Sequence, residues 1–352
     1  MLAAAAGAVL ATIPAAHVPA ARATPAAPST RELIGQRLVV RMSGTRASPA
    51  LLGRIRRGEV GGIILFGANI RSQAQLRRLT AQLQSASHAA GRPPLLVATD
   101  QEGGDVRRLP WAGPTESASA LGSESAARIR NEALLTGRAL KTAGVDIDLA
   151  PVADVPAGRS FMAADHRTFG ATAPVVGRAV VSFVGGLAAA HVASTVKHFP
   201  GIGRATRNTD LAAVEIAAGR NALERDLAPF RAAIGAGVPL VMISNATYPA
   251  LDAKPAAWSP RVQALLRGEL GFKGVTISDA LDGAAATRGR SLPSVSVLAA
   301  QAGVDLILLT GSESSSEAVF DRLVAAATRG ALPAASLRRS YDRIEALKAA
   351  YR

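Results

Sequence analysis

Eight short runs rich in Val, Ile and Leu recur along this chain, each separated from the next by a longer connecting stretch. They are Leu38 to Met42, Gly61 to Phe66, Pro94 to Thr99, Val145 to Leu149, Ser194 to His198, Pro239 to Ser244, Gly274 to Ser278 and Val304 to Leu309. None alternates strictly between apolar and polar residues, so they read as parallel strands buried on both faces. Between them, Ser72 to Ala90, Ser123 to Ala143, Pro174 to Ala190, Ala222 to Ala236 and Pro260 to Glu269 show the amphipathic spacing of helices. Eight strand–helix units in roughly 320 residues predict an α/β fold, a single-domain TIM-type (β/α)8 barrel. A doubly wound sheet would need fewer strands and a Gly-rich phosphate loop after the first, and no such loop follows Leu38 to Met42. A last helix over Ala334 to Ala350 leaves no room for a second sandwich domain.

The chain has 352 residues, 49% of them hydrophobic, enough for one large core. Its formal charge is +14, but only five of the 40 basic residues are lysines and the arginines are spread through the predicted helices. That dispersal reads as compositional bias rather than a nucleic-acid footprint. Three tyrosines and two tryptophans supply no base-stacking platform. The absence of cysteine excludes disulfides, thiolate nucleophiles, Cys-ligated zinc and a lipid-modified N-terminal cysteine. Residues 2–16 are small and apolar, and Ala21-Arg22-Ala23 has the small-x-small pattern of a signal-peptidase site. Residues 1–23 are therefore expected to direct export, giving a secreted or envelope-associated protein; with no Lys or Arg ahead of the apolar stretch, cleavage and retention as an anchor both stay open. Residues 24–30 read as a linker, Ser29 with Glu32 fits a capping box, and 31–352 is the expected barrel. No later run is long and apolar enough to span a membrane, so the mature chain is expected to have no transmembrane segment.

Polar residues gather where the predicted strands end. Asp100-Gln101-Glu102-Gly103-Gly104 follows the third, Asp154 the fourth, Lys197-His198 closes the fifth, Asn245 follows the sixth and Ser278-Asp279 the seventh. Each could be a helix cap. Several strand ends that also carry a lysine and a histidine point instead to a chemical site at the carboxyl mouth of the barrel. Asp279 ends the β-branched run Val275-Thr276-Ile277, so its carboxylate would project rigidly into that mouth, where it could attack an anomeric carbon. Lys197 or Arg167 nearby could keep it ionised. Asp282 reads as the N-cap of the next helix and Glu102 as a structural residue held by backbone amides in its Gly-rich turn. His17, His88, His166 and His191 show no metal-binding spacing.

Four segments carry a family resemblance: Lys197-His198-Phe199-Pro200-Gly201, Gly274-Val275-Thr276-Ile277-Ser278-Asp279, Gly61-Gly62-Ile63-Ile64-Leu65-Phe66 and Asp100-Gln101-Glu102-Gly103-Gly104. In order and content they resemble the N-terminal barrel domain of glycoside hydrolase family 3, and most closely its single-domain bacterial β-N-acetylglucosaminidases (β-N-acetylhexosaminidases). The resemblance runs from about residue 31 to about 350 and implies a retaining exo-β-glycosidase. It implies that Asp279 is the nucleophile and that Asp100, Arg108, Arg167, Lys197 and His198 hold the terminal sugar of a carbohydrate substrate. It implies no metal and no organic cofactor.

The chain departs from that pattern at one place. The aminosugar hydrolases carry an Asp-x-His dyad in the loop after Lys-His-Phe-Pro-Gly, its histidine acting as general acid and base, whereas this chain has Asn208-Thr209-Asp210. Ile202 likewise stands where many relatives have another histidine. Three readings are open: Asp210 is the proton donor with its pKa raised by about 2 units; Asp210 is an N-cap or sugar contact and the acid lies elsewhere; or the barrel binds glycans and turns over slowly or not at all. A β-glucosidase-type specificity is also open.

Overall fold

A computed structural model of the chain describes residues 1–5 and 27–352, so most of the expected export segment and part of the expected linker lie outside the described residues. All eight predicted strands form. They are β1 (Leu38–Arg41), β2 (Gly62–Leu65), β3 (Leu96–Thr99), β4 (Ile147–Asp148), β5 (Ala193–Phe199), β6 (Leu240–Ile243), β7 (Val275–Ser278) and β8 (Ile307–Leu309). Every neighbouring pair is parallel in sequential order from β1 to β7, and β8 pairs with β1. A parallel bridge between Ile277 and Leu306 closes the ring between β7 and β8. The fold is thus the TIM-type barrel that the alternation of runs predicts.

The period-2 geometry of a strand divides the apolar residues between two cores. Val39, Ile64, Leu96, Ala193, Met242 and Ile277 fill the interior of the barrel. Val40, Ile63, Val97, Val196 and Val241 face outward and pack against the helices. Serines set where many of those helices begin: Ser48, Ser72, Ser125 and Ser312 each accept a backbone N–H of the first turn. The capping box of Ser29 and Glu32 is present.

The floor of the barrel is closed by the last helix, Ala334–Tyr351, whose Ile344 and Leu347 join the interior cluster. Burial of each such side chain stabilises the fold by about 1.5–3 kcal/mol. The same helix presents Ser340 and Arg343 to the fully buried Asp305, with Oγ and Nη2 donating to Oδ1 at 2.8 and 2.6 Å. Arg267 and the Thr276 amide donate to its Oδ2 at 2.6 and 3.0 Å.

The helix expected over Pro260 to Glu269 is α-helical only at Pro260–Ala264 and continues as a π-helix over Leu265–Glu269. The Leu270 amide reaches back five residues to the Leu265 carbonyl at 3.0 Å. Two hairpins, Gln101–Gly103 with Val106–Arg107 and Thr247–Tyr248 with Asp252–Pro255, follow β3 and β6. Their strands are too short for any periodicity to show in the sequence. Among the described residues no helix is long and apolar enough to cross a membrane.

Candidate active site

A cavity of about 480 Å³ opens at the carboxyl ends of the strands, and Asp100, Arg108, Arg167, Lys197, His198, Asp210 and Asp279 all line it. Seven residues spread over 180 positions of sequence meet there because Asp100, Lys197, His198 and Asp279 lie at or just beyond strand ends and the loops that follow the strands carry Arg108, Arg167 and Asp210 back over the same mouth.

Lys197, on β5, donates to Asp100 Oδ1 at 2.9 Å and pairs with Glu102 Oε1 at 2.7 Å. Arg167 grips Glu102 with both arms, Nε to Oε2 and Nη2 to Oε1, each at 2.8 Å. Glu102 is therefore structural, but two cations hold it rather than the amides of its turn. Burial alone would neutralise the Lys197 ammonium, yet Asp100 and Glu102 more than offset this and raise its pKa. Burial likewise works to protonate Glu102, and Lys197 and Arg167 overcome it, holding the carboxyl well below the usual range. Neither cation hydrogen-bonds Asp279 among the described residues; Lys197 is held by Asp100 and Glu102, and Arg167 by Glu102.

Arg108 is brought in by Gln101, whose Oε1 accepts the Arg108 and Leu109 amides at 2.9 and 3.0 Å while its Nε2 donates to the Gly113 carbonyl at 2.8 Å. Its guanidinium lies 3.8 Å from Asp100 and stacks over Phe66 at 5.8 Å. His198 Nδ1 lies 2.7 Å from Oδ2 of the fully buried Asp154. The sequence placed Asp154 at a strand end, but only the fold reveals it as the partner of His198.

Asp279, half-buried, lies directly beyond β7, and its Oδ1 accepts the Ala280 amide at 2.8 Å. Asp210 stands on a turn made by Asn208, whose Oδ1 accepts the Asp210 amide at 2.9 Å. The carbonyls of Thr209 and Asp210 accept the amides of Ala285 and Ala284 at 3.1 and 2.9 Å, which ties the turn to the segment just after Asp279. Asp210 is exposed as a residue, but the protein atoms crowding its carboxyl at the cavity wall, and then the nearby charge of Asp279, push its pKa up to about 6. Asp282 is not an N-cap: Gly283 holds that position, and Asp282 instead accepts the Thr310 amide and hydroxyl at 3.0 and 2.7 Å, bracing the end of β8. Among the described residues no group of three or more His, Asp or Glu side chains is placed to hold a metal ion.

A parallel barrel that gathers carboxylates and cations at its carboxyl mouth is the architecture of a barrel enzyme with a polar ligand site. Residues 29–347 match the model of the glycosyl hydrolase family 3 N-terminal domain, and the chain belongs to that family and is a glycoside hydrolase. An uncharacterized secreted glycosyl hydrolase of Arthroderma benhamiae is 37% identical over 89% of this chain and 92% of its own length. A beta-hexosaminidase of Alkalilimnicola ehrlichii is 36% identical over 81% and 84%. The solved family 3 beta-N-acetylglucosaminidase of a Paenibacillus species superposes with a TM-score of 0.88 at 34% identity; it covers 92% of this chain, which spans 63% of that longer protein.

Proposed function

We propose that the protein is a retaining exo-β-glycosidase that removes terminal β-linked N-acetylglucosamine, with Asp279 as nucleophile and Asp210 as general acid and base. Asp279 attacks C1 from the face opposite the leaving group while Asp210 delivers its proton to the glycosidic oxygen; Asp210 then deprotonates the water that releases the sugar from Asp279. The observation that carries this reading is that Asp210 and Asp279 line one cavity with the five sugar-assigned residues, and the raised pKa of Asp210, about 6, supports it. Two carboxyls in one cavity, one with its pKa raised, suit the division of labour a retaining glycosidase uses. The names of the Alkalilimnicola and Paenibacillus relatives support the aminosugar. Asp100, Arg108, Arg167, Lys197 and His198 are assigned to the sugar hydroxyls, and the size of the cavity suits a terminal residue better than the middle of a polymer.

Residues 31–352 form the catalytic domain in this reading, and residues 1–23 direct export, in keeping with the name of the secreted Arthroderma relative. N-terminal sequencing of the exported protein tests the boundary. The test of function is incubation with aryl β-glycosides of N-acetylglucosamine and of glucose, followed by mass spectrometry of enzyme treated with a slow fluorinated N-acetylglucosaminyl fluoride. Release from the aminosugar and a label on the peptide containing Asp279 are expected. Release by Asp279→Ala at the wild-type rate would remove Asp279 from the chemistry.

A further inference from the structure

We propose that Asp154 is a positioning residue that holds His198 as its Nδ1–H tautomer, leaving Nε2 bare in the cavity as an acceptor for a sugar hydroxyl; the acceptor role rests on the glycosidase reading above. Asp154 is fully buried, so its two oxygens must be satisfied within the protein. Oδ1 takes the Ile202 amide at 2.7 Å, and Oδ2 lies 2.7 Å from His198 Nδ1. An imidazole that donates from Nδ1 to a carboxylate keeps the other ring nitrogen as an acceptor while it stays neutral. Nε2 makes no hydrogen bond within the described residues and is not among the polar atoms sealed from solvent, and His198 lines the cavity.

Of the five residues assigned to the sugar, Lys197, Arg108 and Arg167 can only donate, and Asp100 accepts from Lys197 through Oδ1. Nε2 of His198 adds a neutral acceptor to the remaining capacity of the Asp100 carboxylate. A hydroxyl that accepts from one of these cations still has a proton to place, and Nε2 takes it.

Asp154 also roots the loop that carries Asp210. Its bond to Ile202 fixes the chain where Gly203 passes so close to Val155 that a Cβ would lie 2.1 Å from the Val155 carbonyl. Seven residues further on, the same loop presents Asp210.

The experiment is 15N NMR of the full-length protein labelled at histidine, with His198 assigned by its loss in His198→Gln. At about pH 8, above the usual imidazole pKa, the expected spectrum has a protonated Nδ1 and a bare Nε2, whose signal moves when N-acetylglucosamine is added. In Asp154→Asn the carboxamide keeps the Ile202 bond through its oxygen and donates its NH2 to Nδ1, so the proton should move to Nε2. KM for an aryl β-N-acetylglucosaminide should then rise about tenfold, the loss of one hydrogen bond shared by ground and transition states, with kcat changed far less. A proton on Nε2 in the wild type, as the other tautomer or as imidazolium, overturns the proposal even if the variant does not fold. So does an Asp154→Asn protein with unchanged tautomer and KM. A bare Nε2 that ignores added sugar in enzyme that still cleaves the glycoside overturns the acceptor role and leaves the hydrolase reading standing.

Discussion

The main-chain carbonyl of Asp210 accepts the amide of Ala284 at 2.9 Å, so the residue proposed to move the proton is bound to the segment that begins just after the proposed nucleophile, Asp279. Gly283 eases the approach, since a Cβ there would lie a tight 3.2 Å from the Asp210 Cα. Backbone contact of this kind fixes the position of one carboxylate relative to the other without spending either side chain on it.

The proposed mechanism assigns different faces of the sugar to the two carboxylates, and azide distinguishes them. Asp279→Gly should lose activity by at least about 10³-fold, and azide should restore turnover with an α-glycosyl azide as product. Asp210→Ala should give the β-azide, and its loss should be smallest for aryl glycosides whose leaving group needs no proton. Product stereochemistry by NMR reads both; a β-azide from the Asp279 variant would reverse the assignment.

The pH profile follows from the raised pKa of Asp210. The acid works in its protonated form, which persists up to about pH 6 and is lost above it. We therefore expect kcat/KM to fall as pH rises through about 6, and expect Asp210→Asn to abolish that limb. Initial rates across the acidic and neutral range check it.

Glu102 is expected to matter for binding although it is nearly out of reach of solvent. Glu102→Gln keeps the shape of the side chain but strips Lys197 and Arg167 of a shared counter-charge. KM should rise by at least about tenfold with kcat less affected, and folding should weaken by about 1–3 kcal/mol. Steady-state kinetics and urea unfolding separate the two effects.

At the floor of the barrel, Asp305 joins the last helix to β7 through Arg343, Ser340, Arg267 and the Thr276 amide. Asp305→Ala leaves two guanidinium groups facing an empty site and should cost about 3–5 kcal/mol. Chemical denaturation measures the loss, and the fraction that remains folded should keep the wild-type KM, because the cavity opens at the opposite end.

The fold was legible because a parallel strand buried on both faces has to be apolar along its length, and eight such runs separated by helical spacing leave few architectures open. Lys197, His198 and Asp279 were legible for a related reason: each is a polar residue at or just beyond the end of such a run. The partners of Glu102 and the role of Asp282 were misread. Both residues depend on partners 65 and 28 residues away, Arg167 and Thr310, which local turn and capping preferences do not register. The two hairpins went unseen because strands of two to four residues carry no period.

By itself the sequence determined the barrel, the mouth at which chemistry would gather and the identity of the side chains sent there, because these follow from periodicity and strand ends along the chain. Only the tertiary structure decided which charge neutralises which, that Asp154 lies against His198, and that the surroundings of Asp210 push its pKa upward. Those properties arise from burial and from distances between residues remote in sequence, and they take values only once the ring of strands has closed.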